Sequence, residues 1–585
     1  MLRRQEWLNL NGTWAFREDP KDQGVHDQWY LAANWQEGSW VPITVPFSPG
    51  SQASGVSVND ATQVVWYHRQ FECPDWRNKD QKLTDVLLNI GACDYRTDVY
   101  VNGHHVGCHQ GGYTPIQLSV APYLKAGTNS VVVRAADTDS WQQPRGKQAG
   151  DTRWPIDYDA IIGIWQTVWL EPVAENYVTS IFARFDMNTG QLSVTLGLAQ
   201  QSQGAARVGL MRDDGPAQWQ QASANNRNEV SVVLDVIQPQ LWSPERPYLY
   251  DLVIELQDAA EVMLDRVDSY TGLREVRCEA GAILVNQKPV FLRGVLDQGY
   301  FPQGWYTAPD DETLRRDVEL TKAMGFNFVR KHQKIEDPRY LYWADKLGLM
   351  VWAEMPAGRI FSDHLSSALT QQWPDALRRD RSHPSIVGWV VFNESWGIWH
   401  QGERPEQRHL ADGLYHLTKS FDPSRPVIGN DGWEFSSGDI WALHSYEHDD
   451  GALADRLHAL RQAPQTVVAD IGRARQGALS GANPQSLPTV LSECGGVGFV
   501  ASERHDEHAE PDFAYGDLPG STEAFATKCA GLFTEIYGIP ELSGFVWTQL
   551  TDVQQEINGL LYFDRTPKVP IDQIRGWVLD DFEVE

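Results

Sequence analysis

The chain has 585 residues, more than one hydrophobic core organises and enough for three or four domains of roughly 100 to 200 residues. Its 49 Lys and Arg against 78 Asp and Glu leave a net charge of −29, which repels nucleic-acid phosphates and anionic membrane surfaces, and no local basic patch offsets it. With 42% hydrophobic and 22% charged residues the composition is that of a folded globular protein, and no uncharged apolar run approaches the ~18 residues of a membrane span.

The first residues, Met1-Leu2-Arg3-Arg4-Gln5-Glu6-Trp7, are basic but run into polar residues in place of an apolar stretch, so a cytoplasmic location is expected. Residues 1–175 show short alternating segments rich in Val, Tyr, Trp and Thr, such as Trp66 to Phe71, Val99 to Val101 before Asn102-Gly103, and Asn129 to Val133. This hairpin-and-turn rhythm predicts a β-sandwich. It continues with fewer aromatics over 176–276, in Leu192 to Leu198, Glu229 to Leu234 and Leu249 to Leu256, predicting a second, smaller sandwich. Leu241-Trp242-Ser243-Pro244-Glu245-Arg246-Pro247 interrupts it with two prolines, which a central strand does not tolerate.

Over 277–585 apolar runs alternate with amphipathic stretches, the pattern of βα units around a parallel sheet. The predicted strands are Val290 to Val295, Asn327 to Arg330, Leu349 to Glu354, Ile386 to Phe392, Pro426 to Gly429, Ile440 to His444, Thr489 to Glu493 and Gly544 to Thr548. Helices Glu312 to Met324 and Arg339 to Leu347 are closed by Gly325 and Gly348. The repeat predicts a (β/α)8 TIM barrel. The six cysteines have no CxxC spacing and read as free thiols.

A (β/α)8 barrel carries its chemistry at the C-terminal ends of its strands. Two of these end in glutamate after an apolar run: Trp389-Val390-Val391-Phe392-Asn393-Glu394 on the fourth and Pro488-Thr489-Val490-Leu491-Ser492-Glu493 on the seventh. The two strands stand nearly opposite, so Glu394 and Glu493 can face each other. Facing carboxyl groups about 5 to 5.5 Å apart are what retaining glycoside hydrolysis requires, one protonated and one ionised. Glu394 is expected to have a raised pKa, from burial or the neighbouring charge, and Glu493 to stay ionised beside a cation such as Arg330. The 24 Trp suit sugar stacking, although core filling accounts for most.

Nearly the whole chain resembles glycoside hydrolase family 2, the group of β-galactosidases, β-glucuronidases and β-mannosidases. The matches are Leu10-Asn11-Gly12-Thr13-Trp14, Tyr100-Val101-Asn102-Gly103, Gly111-Gly112-Tyr113-Thr114-Pro115 and Ile164-Trp165, then Leu241-Trp242-Ser243-Pro244 and Pro247-Tyr248-Leu249-Tyr250. In the barrel they are Val285-Asn286-Gln287-Lys288-Pro289-Val290, Gly294-Val295, Phe328-Val329-Arg330, Asn393-Glu394-Ser395 and Ser492-Glu493. The resemblance implies a jelly-roll sandwich, an immunoglobulin-like sandwich and a catalytic barrel, with Glu394 as acid/base, Asn393 on the substrate's 2-hydroxyl and Glu493 as nucleophile. The departures fall where the family lines its sugar pocket. Asn-Arg-His-Asp-His-His is replaced by Leu296-Asp297-Gln298-Gly299-Tyr300-Phe301, and Arg-x-Ser-His-Tyr-Pro by Arg330-Lys331-His332-Gln333-Lys334. The Asn-x-Lys with which β-glucuronidases grip a carboxylate falls near Glu556-Ile557-Asn558, which lacks the lysine and adds a repelling acid.

Further candidates at strand ends are Asp297, His332, His444 and Tyr446 for sugar hydroxyls, and Trp547 as a platform under the ring, with packing roles as the alternatives. Glu354 either tunes the pair or orients His332, or forms an ion pair with Arg330; Trp396 and Trp433 are weaker candidates. Gly496-Val497-Gly498-Phe499-Val500-Ala501 mimics a dinucleotide fingerprint but abuts Glu493 and reads as an active-site loop, and Val497 to Gly520 is expected to cap the pocket. His505-Asp506-Glu507-His508 and His444-Ser445-Tyr446-Glu447-His448 lack the spacing of a metal site, so neither metal nor cofactor is expected. The reading is thus an exo-acting retaining β-glycosidase, first a β-galactosidase, with glucuronide, mannoside, arabinoside or galactofuranoside specificity or a non-catalytic carbohydrate-binding protein as alternatives. The expected partner is a carbohydrate substrate, with no nucleic acid or membrane, and a sandwich edge or barrel helix offers a surface for a homo-oligomer.

Overall fold

A computed structural model describes residues 2–35, 38–59, 62–76, 83–138, 140–149, 153–212, 215–449, 451–470, 473–501, 504 and 512–580. In the first sandwich a six-stranded sheet, in the order 41–45, 12–18, 64–72, 128–136, 96–101 and 104–110, faces a four-stranded sheet of 8–9, 168–173, 85–90 and 116–119. Strand alternation decides which residues meet: Val131, Val133 and Ala135 turn toward Leu88, Ile90 and Val168. Val132, between them, packs on the outer face against Trp66 and Tyr100. The second sandwich pairs strands 178–186, 191–202 and 227–235 against 215–223, 205–212, 250–257 and 263–271, around Leu196, Val208, Val232 and Ile254.

Eight parallel strands form the barrel: β1 (Leu292–Asp297), β2 (Phe328–Lys331), β3 (Met350–Glu354), β4 (Ile386–Asn393), β5 (Val427–Asp431), β6 (Trp441–His444), β7 (Thr489–Gly495) and β8 (Leu542–Thr548). Their hydrogen-bonded order is β5-β4-β3-β2-β1-β8-β7-β6, leaving a seam between β5 and β6. The surrounding helices are α1 (Asp311–Ala323), α2 (Pro338–Leu347), α3 (Asp363–Asp380), α4 (Pro405–Phe421), α5 (Ala452–Gln462), α6 (Thr522–Tyr537) and α7 (Ile571–Leu579). Asp310 caps α1 through the Thr313 N–H, and Gly348 ends α2 at φ +77°, where a Cβ would meet the Pro244 carbonyl at 2.4 Å.

The first barrel strand begins two residues later than expected. Lys288-Pro289 pairs instead with Leu284 and Val285 in a small meander that plugs the barrel base, where Ile283 and Val285 touch Leu292, Phe328 and Val490. Proline has no N–H to continue a ladder, so β1 starts after it. The segment with two prolines lies outside both sheets of the second sandwich. Its Trp242 is fully buried among barrel-interior residues and donates its indole N–H to the Asp345 carbonyl at 2.7 Å.

Candidate active site

Glu394 and Glu493 meet over the mouth because each strand end departs from regular geometry. Just past β4, Glu394 and Ser395 adopt left-handed backbone, φ +50° and +59°, which costs a non-glycine residue about 1 kcal/mol or more. The surroundings hold it there: the Glu394 N–H donates to the Asp431 carbonyl at 2.8 Å, and the Ser395 N–H to Asn430 Oδ1 at 2.9 Å. On β7, Leu491 pairs with Leu443 but Glu493 pairs with His444, so Ser492 is the extra residue of a bulge. Ser492 donates to Asp431 Oδ1, and Glu493 comes to lie beside His444. One oxygen of Glu394, one of Glu493 and a ring nitrogen of His444 fall within 4.8 Å of one another.

Arg330, with no solvent exposure, organises the base of this site. Its Nε donates to Glu354 Oε2 at 2.8 Å, Nη1 to Glu493 Oε1 at 3.1 Å and Nη2 to Asn393 Oδ1 at 2.7 Å. Tyr446 donates to the other Glu493 oxygen at 2.6 Å. His444 closes the open seam of the barrel. From β6 its Nε2 meets Asp431 Oδ1 of β5 at 2.7 Å, while Nδ1 meets Glu394 Oε1 at 2.9 Å and lies 3.4 Å from Glu493 Oε2. Carboxylates only accept, so both ring nitrogens donate and the ring is an imidazolium. Its 3.3 Å approach to Arg330 Nη1 is therefore two donors converging on Asp431, not a hydrogen bond between them. While both its nitrogens donate, His444 offers a metal ion no lone pair, so an ion at this His–Glu–Glu cluster would have to displace a proton.

The electrostatics reverse the expected asymmetry of the pair. Burial opposes the charge on His444, but Glu493, Asp431 and Glu394 outweigh it and raise its pKa to about 10. Burial likewise opposes ionisation of Glu394, yet the His444 contact, with Arg475 behind it, brings it down to about 2. Burial and the Glu394 charge push Glu493 up to about 7 against the pull of His444 and Arg330. Of the pair, Glu394 is therefore the more acidic in the free site, because His444 reaches it with better geometry; the two titrate as one unit.

Tyr515 stacks on Tyr446 at 3.5 Å, covering one side of the mouth. Of the expected capping segment, residues 502–503 and 505–511, including His505-Asp506-Glu507-His508, lie outside the described residues. The first sandwich supplies another side. Lys147 reaches Glu556 at 3.1 Å, and Glu556 joins a buried ring of side chains in which Gln298 donates to Glu556 at 2.9 Å and to Gln549 at 2.7 Å. Gln549 donates to Asn558 at 2.7 Å, which returns to Glu556 at 3.2 Å.

Other predicted residues lie elsewhere. Asp297 is buried in an ion pair with Lys331 at 2.6 Å. His332 is buried, and burial with the Lys147 and Arg330 charges holds it neutral; its Nδ1 is 3.2 Å from Glu354 without hydrogen-bond alignment. Glu354 forms the ion pair with Arg330. Trp547 stacks on Phe533 of α6 at 4.4 Å, between barrel and helices, because strand alternation turns it outward; Thr548, bonded to Tyr446, takes the inward position. Trp396 and Trp433 are buried. Tyr515 falls in the segment expected to cap the pocket, whereas Asp431, Arg475, Lys147 and Gln549 were not anticipated; Asp431, at the end of a strand, carried a signal that the sequence offers.

Three models of one family match in chain order: the glycosyl hydrolases family 2 sugar binding domain over residues 8–171, glycosyl hydrolases family 2 over 176–274, and its TIM barrel domain over 276–451. The chain belongs to glycoside hydrolase family 2. Curated relatives include the β-glucuronidase of Canis lupus familiaris, 27% identical over 77% of this chain and 73% of that protein. The β-galactosidase of Pectobacterium atrosepticum is 27% identical over 72% of this chain, which spans 42% of it. The β-glucuronidase of Ruminococcus gnavus shares the fold at TM-score 0.79, with 20% identity and 98% coverage of both chains. The β-galacturonidase of Eisenbergiella tayi does so at 0.76 and 19%, covering 99% of this chain and 97% of that one. This member of family 2 is therefore a β-glycosidase, and the retaining mechanism is typical of the family.

Proposed function

We propose that the enzyme is an exo-acting retaining β-glycosidase for terminal neutral sugars, β-galactosides first, with Glu493 as nucleophile and Glu394 as acid/base. The observation that carries this reading is the pair of carboxyl groups at the ends of β4 and β7, with an oxygen of each within 4.8 Å of the other, a close approach that suits a retaining enzyme better than an inverting one. Glu493 Oε attacks the anomeric carbon as the bond to the leaving oxygen breaks, and Glu394 gives that oxygen its proton. Glu394 then takes a proton from water, which attacks the glycosyl-Glu493 ester and releases the sugar with its configuration retained. For the first step Glu394 must hold the pair's proton, which follows when the substrate's leaving oxygen takes the place of His444 as its partner. Asn393, with Oδ1 held by Arg330, keeps its amide N–H groups for the 2-hydroxyl.

Tyr515 on one side and the Lys147 loop on the other support a pocket closed to a single terminal sugar. Pairing of Lys147 with Glu556 supports a neutral sugar, since a uronate needs a cation that is not already matched. A β-glucuronide is the second reading, favoured by the likeness to the dog and Ruminococcus gnavus β-glucuronidases. Chromogenic β-glycosides of galactose, glucuronic acid, mannose, arabinose and galactofuranose, tested on wild type, Glu493→Ala and Glu394→Ala with azide, decide both points. Loss of at least about 10⁴-fold in Glu493→Ala, with azide rescue giving the inverted glycosyl azide, is expected. Activity surviving in both variants would refute the assignment.

A further inference from the structure

The chain leaving Glu394 runs into a cluster of indoles that catalysis on the pair does not use. Trp396 lies buried at its centre, with Trp154 edge-on at 5.8 Å and Trp399 at 6.4 Å, and Trp141 stands 6.3 Å beyond Trp154. Trp141 and Trp154 come from the first sandwich, Trp396 and Trp399 from the barrel. Arg359 binds them into one wall: its guanidinium lies 4.1 Å from the Trp154 ring and 4.8 Å from Trp396, its charge is matched by Asp157, and its carbonyl accepts the Trp399 indole N–H at 2.7 Å. Trp396 is 2% exposed, but Trp141, Trp154 and Trp399 are only half-buried, and Ile360, whose N–H bonds to the Trp141 carbonyl, is 47% exposed. The outer side of the wall is thus a partly exposed apolar surface a few residues from Glu394. Arg475 makes the link, donating to the Glu394 carbonyl at 3.2 Å while lying 5.7 Å from the Trp399 ring.

In a retaining glycosidase the leaving oxygen sits beside the acid/base, so whatever it is attached to extends past that residue, away from the nucleophile. We propose that Trp141, Trp154, Ile360 and Trp399 form the leaving-group platform, a site for an aglycone with a flat apolar face, either a second sugar ring or an aryl alcohol. This rests on the roles of Glu394 and Glu493 given above. Indoles stack on such faces, while neutralisation of Arg359 by Asp157 and the 3.8 Å approach of Arg475 to Glu434 leave no net charge for an ionic aglycone.

The test compares kcat/KM for three β-glycosides of the sugar the enzyme accepts, with methanol, phenol or a second pyranose as leaving group, in wild type, Trp399→Ala, Trp154→Ala and Trp399→Phe. The expected result is a drop of about tenfold in the ratio of phenyl or disaccharide to methyl substrate in each alanine variant, largely restored in Trp399→Phe. A drop for only one of the two flat aglycones identifies which one the platform takes. Equal losses on all three substrates mean that the indoles only hold the loop, and overturn the proposal while leaving hydrolysis by the pair intact. A second readout needs no turnover: indole fluorescence titrated with phenyl, pyranosyl and methyl 1-thioglycosides. Tighter binding of a flat-faced thioglycoside, abolished by Trp399→Ala, supports the platform even if hydrolysis fails; equal binding of all three overturns it.

Discussion

The two sandwiches are built from the same alternating strands, yet they attach to opposite ends of the barrel. The second grips the base: Trp242 bonds to Asp345 of α2, Tyr270 bonds to the same residue at 2.7 Å, and Arg274 donates to the carbonyls of Pro384 and Ile386 where β4 begins. The first reaches the mouth: the Arg145 and Gly146 N–H groups bond to the Ala357 carbonyl, Lys147 to Glu556, and Arg153 to Gln555 at 2.9 Å. A sandwich on the base contributes stability only, whereas a loop on the mouth shapes what enters. Apart from Tyr270, which lies on a strand, the difference lies in the connections between strands.

Four changes break or sharpen this contrast. Trp242→Ala has the largest effect and should cost about 3–5 kcal/mol of stability in denaturant unfolding by leaving a cavity at the base; kcat/KM of the folded enzyme should not change, and a change would show that the base is coupled to the chemistry. Lys147→Ala should also destabilise, by about 3 kcal/mol because Glu556 is left buried and unpaired. Unlike Trp242→Ala it should lower kcat/KM of the folded enzyme about tenfold or more, and an unaltered value would move the first sandwich out of the site.

The third change concerns pH. The pair needs one proton in total, so wild-type kcat/KM should be level in mild acid and fall as pH rises through about 7, when Glu493 gives up that proton. His444, whose folded pKa is raised, stabilises the fold fully below its ordinary 6.5 and loses that contribution as pH rises through about 10. In His444→Asn the cation that favours both carboxylates is gone, so the fall in kcat/KM should move upward by about one pH unit or more. An unmoved limb would show that His444 does not govern the pair. The smallest effect belongs to Arg266→Ala on the outer face of the second sandwich, whose half-exposed ion pair with Glu255 should be worth less than about 1 kcal/mol by thermal melting, with no change in activity.

Much of the barrel was legible because its strands are short apolar runs closed by glycine-capped helices, a local signal. The facing glutamates were legible for the same reason: each ends such a run. Trp547 shows where this stops. Its place at the end of a strand was correct, but whether a strand-end residue points inward or outward depends on register. The bulge at Ser492 is visible only once Leu443 and Glu493 are seen beside their partners.

By itself the amino-acid sequence determined the order of the three folds, the eight strands and the two carboxyl groups, because periodicity and turn residues act over a few positions. Only the tertiary structure decided which carboxyl is the more acidic, since that follows from a histidine 50 residues after Glu394. It also decided that Lys147 pairs with Glu556, 409 positions away. Electrostatic interaction depends on distance through space, which the spacing of residues along the chain does not record.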